Sequence, residues 1–189
     1  MAHPGLAGAA CILAFWLGHE IFHAGAFVVD GGVWGVVGDK EAGKTTLLAH
    51  LHLAGIPIIA DDMLVVDRAA RAMAAPRCLD LRPDAAKHLA TDVRIVRSGE
   101  RHRIELGEVE PEIPMRGWIR LERSETESLD KVRPYERPGH LSAARTMRNV
   151  PTDPGALVRL AELPFYEFKR PLRWEDSSAM VERLLNSLP

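Results

Sequence analysis

The run Gly38-Asp39-Lys40-Glu41-Ala42-Gly43-Lys44-Thr45 satisfies the phosphate-binding pattern GxxxxGK(S/T) at every fixed position. Glycines let backbone N–H groups wrap a polyphosphate, and the helix that follows adds the positive end of its dipole. Lys44 can reach the outer phosphates and the Thr45 hydroxyl can ligate magnesium. Thr46 continues the same cradle, so residues 38–46 are the expected nucleotide-binding segment. The pattern says nucleotide; it does not say what becomes of the phosphate. A second feature addresses that. The apolar stretch Pro57-Ile58-Ile59-Ala60 ends in adjacent carboxylates, Asp61 and Asp62. One carboxylate can hold magnesium, directly or through water, while the other takes a proton from an attacking hydroxyl.

A competing motif lies upstream. His19-Glu20-Ile21-Phe22-His23 matches HExxH, the zinc pair and general base of many metalloproteases, and on a helix the two histidines would share a face. The extended form of that motif wants a glycine and a third histidine at places held by Ala26 and Val29. A structural histidine is the commoner role for either residue alone. Arg97, Arg101, His102 and Arg103 form a further basic cluster, read as a solvated face that could also meet phosphate or acidic groups.

The elements that must position these residues follow from periodicity. Cys11 to Phe22 has apolar residues one helical turn apart, which predicts a helix covered on most sides and buried at the start of the domain. Residues 26–29 and 33–37 read as two strands joined by a tight hairpin at Asp30-Gly31-Gly32. A helix is expected from about Lys44 to Ala54, stopped by Gly55 and Pro57. Residues 33–60 then form a strand, loop, helix, strand unit. Right-handed crossover places the loop and the end of the next parallel strand on one edge of the sheet, where a ligand sits.

Met63 to Val66 continues extended. Further on, Arg94–Arg97 and Arg101–Leu106 suggest a hairpin about Ser98-Gly99, and Gly117–Leu121 a strand. Residues 124–131 read as a polar loop, Leu157–Leu163 as a short helix and Phe165–Phe168 as a strand. Asp176 suits the N-cap of a closing helix whose apolar face is Met180, Val181, Leu184, Leu185 and Leu188.

Composition sets the frame. The 189 residues are 47% hydrophobic and 26% charged, and 24 basic against 26 acidic side chains leave a net charge of -2. A chain this long buries roughly 70% of its unfolded surface in one core, so residues 1–189 are read as a single α/β domain: a P-loop-containing sheet of mixed strands with flanking helices. The near-zero charge argues against a dedicated nucleic-acid binder. Gly5 to Leu17 is apolar but short of the ~18 to 20 residues a membrane span needs, and no Lys/Arg-rich leader accompanies it. Cys11 and Cys78, without CxxC spacing, are expected to sit passively in the core and fit a reducing cytoplasm.

Taken together, His23-Ala24-Gly25-Ala26, the P-loop, Ile59-Ala60-Asp61-Asp62 and Asp80-Leu81-Arg82-Pro83 resemble, in order and spacing, the catalytic domain of the HPr kinase/phosphorylase superfamily, in particular its shorter HPr-kinase-like members. Pro114 to Glu122 and Leu163 to Tyr166 resemble its pattern too. The resemblance implies an HPr-kinase-like core that uses ATP and magnesium to phosphorylate a serine hydroxyl on a protein or a ribosomally made peptide. It implies that Lys44 and Thr45 serve the phosphates and the metal, that Asp61 is the base and Asp62 the metal partner, an order favoured over its reverse, and that His23 lies near the transferred phosphate. It also implies that Asp80 approaches the metal and Arg82 the phosphates. The founding members are hexamers, which raises a homo-oligomer. Asp80 stands where the bifunctional enzymes usually carry glutamate, and their downstream signature has no convincing copy here. The rival reading, from a different class, is a nucleotide-binding regulatory or assembly module without phosphotransfer.

Overall fold

The computed structural model describes residues 7–89, 94–96, 100–147, 153–171 and 177–189. In chain order the elements are α1 (Ala7–Trp16), β1 (Glu20–Phe22), β2 (Gly25–Val29), β3 (Gly32–Val37), α2 (Lys44–Leu53), β4 (Ile58–Ala60), β5 (Leu64–Val66), β6 (Arg71–Met73) and β7 (Cys78–Leu81). There follow α3 (Pro83–His88), β8 (Arg94–Val96), β9 (Arg101–Glu105), β10 (Glu112–Arg123), β11 (Ser128–Lys131), α4 (Arg137–Ala144), α5 (Pro154–Glu162), β12 (Phe165–Arg170) and α6 (Ser177–Ser187). The architecture is a mixed α/β sheet with helices on both faces, as expected. The main sheet runs β1-β5-β6-β10-β3-β2-β4, and β12 adds to β10 with β11 beyond it.

The hairpin between β2 and β3 forms as the sequence dictates. Asp30 and Gly31 take φ of 50° and 71°, the left-handed pair that a two-residue turn between twisted strands requires. The crossover from β3 through α2 to β4 is also present, with one addition. Strand β2 lies between β3 and β4 and is antiparallel to both, so β3 and β4 point the same way without pairing. Their C-terminal ends still share an edge. Arg77 fastens β4 there by donating to the carbonyls of Ile58 at 2.6 Å and Gly107 at 2.7 Å.

Strand β3, which leads into the P-loop, is locked to the long parallel strand β10 by reciprocal packing. Trp34 lies over Gly117 and Trp118 over Gly35, and a Cβ on either glycine would fall 2.4 or 2.5 Å from an indole ring. Both indoles are fully buried. Around them one apolar layer joins α2, α3 and α6 to the sheet, and a second joins α4 and α5 to its other face. Trp118 satisfies its buried indole N–H by donating to the Leu160 carbonyl of α5 at 3.1 Å.

Several sequence expectations are corrected. The helix expected over Cys11–Phe22 stops at Trp16, because Gly18 adopts φ 76° and its N–H bonds back to Phe15, a left-handed C-terminal cap. Glu20–Phe22 instead pairs antiparallel with Leu64–Val66. Nor is α1 buried: Cys11 and Ala14 face inward, while Trp16 is 77% exposed and Ile12, Leu13 and Leu17 lie open. The polar loop expected over 124–131 contains β11, which pairs antiparallel with β12 and sends Leu129 to the core. Cys78 is only half-buried. Ser98-Gly99, Arg97 and the Asp176 cap lie outside the described residues. Among the described residues no helix is long and apolar enough to cross a membrane.

Candidate nucleotide site

Parallel strands β3, β10 and β12 end on one edge of the sheet, and the chain leaves β3 there as the P-loop. Gly43 takes φ 92° immediately before α2, a conformation glycine adopts without strain. It turns the loop so that Lys44 opens the helix and the first-turn N–H groups face the crevice. A cavity of about 850 Å³ occupies this edge; its walls include residues 38–41 and 43–46 together with His23, Asp62, Asp80 and Arg82. Ala42 is turned away into the core.

Lys44 is 8% exposed. Its Nζ donates to the carbonyls of Gly38 at 2.8 Å and Asp39 at 3.2 Å, which holds the loop closed around its own ammonium. Burial lowers its pKa, and the charges of Asp62, Asp61 and Asp39 oppose that shift.

The crossover brings the acidic doublet to the same place. The Thr45 hydroxyl donates to Asp61 Oδ1 at 3.1 Å. Asp61 keeps part of its surface open, but most of its carboxylate is enclosed. That burial, reinforced by the neighbouring Asp62 charge, pushes its pKa up to about 7, against the opposing hydrogen bond from Thr45. Asp62 is exposed, takes φ 66° and lines the cavity, whereas Asp61 sits behind Thr45. The left-handed backbone at Asp62 reverses the chain within the doublet and turns the two carboxylates to different surroundings.

His23 reaches the doublet from β2's entry. Its Nδ1 lies 3.1 Å from the Asp62 carbonyl oxygen; a carbonyl only accepts, so Nδ1 carries the proton. The His23 backbone is pinned in turn, since its N–H donates to Ala144 at 2.7 Å. Beside it the buried pair Glu20–Arg145, at 3.1 Å, ties β1 to the end of α4. This arrangement dismantles the HExxH reading. His19 lies between α1 and β1 and Glu20 in a strand, so the histidines share no helical face, and Glu20 is committed to Arg145. Among the described residues no group of three or more His, Cys, Asp or Glu is gathered for a metal.

Asp80 on β7 lines the cavity, but both its oxygens accept from Arg103, at 2.7 and 2.8 Å. Arg82, just beyond β7, is paired with Glu41 on the P-loop at 2.8 Å. The basic cluster thus divides: Arg103 anchors Asp80, and Arg101 stands on the cavity wall.

Four further wall residues escaped sequence reasoning: Arg120, Arg123, His140 and Arg170. Arg123 and Arg170 are the last residues of β10 and β12. A cation closing a parallel strand is a usable signal, but it requires knowing that β12 runs parallel to β10. No pattern marks Arg120 or His140.

No protein-family model matches the chain, and no curated protein matches it. Among solved structures it is similar to the HPr(Ser) kinase/phosphatase from Coxiella burnetii, at 14% identity over 88% of this chain and 94% of that one, with a TM-score of 0.44. So distant a likeness leaves the function to be argued from this chain's own residues.

Proposed function

We propose that this protein is an ATP-dependent kinase that transfers the γ-phosphate to a serine hydroxyl of a peptide or protein. The observation that carries the reading is the Thr45–Asp61 hydrogen bond, which places the P-loop hydroxyl and the acidic doublet at one crevice with Asp62 beside them. The serine acceptor and the polypeptide class rest on the motif resemblance alone.

The residues suit magnesium, which takes one or two carboxylates plus phosphate oxygens rather than an all-protein cage. Thr45 and Asp61 would hold it. When bound, it would neutralise charge on the β- and γ-phosphates. Asp62, exposed on the wall, accepts the proton of the incoming hydroxyl, which reverses the order favoured from sequence. His23 orients the Asp62 backbone through Nδ1 and keeps Nε2 free for the reacting groups. Lys44 stabilises negative charge on the transferring phosphoryl group in a partly water-excluded crevice. Asp80, bonded through both oxygens to Arg103, fixes the β7 wall, and Arg82 reaches the phosphates after leaving Glu41.

Incubation with γ-labelled ATP and candidate peptides, followed by mass spectrometry, tests the proposal. Label on a peptide serine supports it. Label in free phosphate alone favours a nucleotide-binding module.

A further inference from the structure

Arg170 presents a problem that the chain alone does not solve. It is 2% exposed, among the most buried large side chains of the protein. An arginine buried this deeply is normally paired, because an uncompensated ion in the interior is costly. Yet among the described residues its Nη2 donates only to the neutral carbonyl of Gly43, at 3.2 Å, and its buried Nε has no hydrogen-bond partner. The carboxylate whose charge acts on it most, Glu127, is held by both oxygens to Arg183, at 2.7 and 2.8 Å.

A second cation makes the deficit worse. Arg123 ends β10 directly opposite Arg170 at the end of β12, and the alternation of the two strands puts both on the face that carries α2. Two like charges on adjacent strands repel, and this repulsion adds to burial in lowering the Arg170 pKa. Arg123 is exposed, and among the described residues no hydrogen bond or ion pair of its side chain is seen. Both line the cavity beside the P-loop, on the side of β3 away from the doublet that follows β4. A pair of cations facing a polyphosphate crevice, one buried with no carboxylate bonded to it among the described residues, is a site completed by an anion from outside.

We infer that Arg123 and Arg170 form a second phosphate-binding subsite, which grips the nucleotide's phosphate chain from the flank opposite Asp61 and Asp62. The inference rests on the nucleotide reading of the P-loop and adds two binding residues to it. Arg170 plays two parts, since its Nη2 steadies the Gly43 carbonyl while its guanidinium charge stands on the crevice wall. Arg123 only binds, because among the described residues its side chain braces nothing. That asymmetry makes the subsite separable from a purely structural role.

The test is titration calorimetry of the full chain with Mg-ATP and, separately, with inorganic tripolyphosphate, for the wild type, Lys44→Ala, Arg123→Ala and Arg170→Gln. The subsite predicts that Arg123→Ala weakens ATP and tripolyphosphate by the same factor, about tenfold for one charge-assisted contact, with thermal unfolding unchanged. Arg170→Gln, if folded, loses at least as much for both ligands. Wild-type affinity of Arg123→Ala for tripolyphosphate overturns the subsite, even if Arg170→Gln is impaired, because the latter then reports only the brace on Gly43. A wild type that binds neither ligand, or a Lys44→Ala variant that binds both normally, overturns the nucleotide reading itself and the subsite with it.

Discussion

The Thr45 hydroxyl lies 3.1 Å from Asp61 Oδ1, so the first turn of α2 and the end of β4 are joined by a side-chain hydrogen bond across the crevice. Asp62, next in sequence, points to different surroundings. In the proposed kinase this difference divides labour between two chemically identical groups. A carboxylate bonded to the P-loop hydroxyl suits a metal site; one exposed on the cavity wall suits an incoming hydroxyl. Asp62→Asn is therefore expected to bind Mg-ATP normally and to lose about 10²- to 10⁴-fold in phosphotransfer, the usual contribution of a general base. Asp61→Asn should instead weaken the magnesium dependence of ATP binding. Calorimetry and turnover on both variants check this, and normal turnover in Asp62→Asn would sink the assignment.

The raised pKa of Asp61 makes the metal-free protein sensitive to pH. Its folded value is about 7 against an ordinary value of 3.8. Between those values the native state holds a proton that the unfolded chain has released. Stability therefore falls as pH rises through this window, by at most about 1.4 kcal/mol per pH unit, and levels off above it. Asp61→Asn removes the penalty. In thermal unfolding with chelator present, the variant's advantage over wild type should grow from pH 4 to pH 7 and then stay constant. A constant difference across that range would contradict the burial argument.

What sequence could show was what depends on local spacing. The P-loop glycines, the Asp30-Gly31 turn and the stop at Gly55 each answer to backbone geometry within a few residues. They could be read directly. The position of Asp61 and Asp62 was legible because a crossover has one hand, even though β2 intervenes between the strands it joins. What escaped depends on partners far along the chain. Glu20–Phe22 looks helical by its apolar spacing and becomes a strand because Leu64–Val66 and Arg145 receive it. Ser128–Lys131 looks like a loop because an edge strand can be mostly polar. Arg123 and Arg170 look like surface cations until β12 is seen to run parallel to β10.

If the crevice takes a nucleotide as proposed, the pair between Glu41 and Arg82 bears on its affinity. Glu41 puts a negative charge on a loop meant for phosphates, and it does so at φ 68°, a conformation that does not favour glutamate. Its bond to Arg82 also occupies a cation that phosphates would use. Glu41→Ala should tighten ATP binding up to about fivefold, the worth of roughly 1 kcal/mol. The gain should shrink at high salt, since the pair is exposed. Glu41→Gly should add relief of the backbone strain. Affinities measured at two ionic strengths decide it; weaker binding by Glu41→Ala would show that the pair holds the loop in its competent shape.

The reciprocal fit of Trp34 on Gly117 and Trp118 on Gly35 is the mechanical basis of the site, because it fixes the strand that launches the P-loop. A methyl group at residue 117 would stand 2.4 Å from the Trp34 ring and 2.8 Å from the Pro164 carbonyl oxygen. Neither can retreat, since Trp34 is fully buried and the carbonyl is backbone that accepts from Trp118 N–H at 2.9 Å. Gly117→Ala should cost about 1 to 3 kcal/mol, as overpacking does, with the denaturation midpoint lowered and the slope unchanged. Gly139→Ala is the contrasting case. It lies within α4 with open space around its Cβ, and the better helix former should leave stability equal or improve it by up to about 1 kcal/mol. If β3 carries the loop rigidly, Gly117→Ala should also weaken ATP binding under conditions where the protein remains folded, whereas Gly139→Ala should not. Equal effects of the two alanines on stability and on binding would show that the tryptophan–glycine fit does not govern the position of the P-loop.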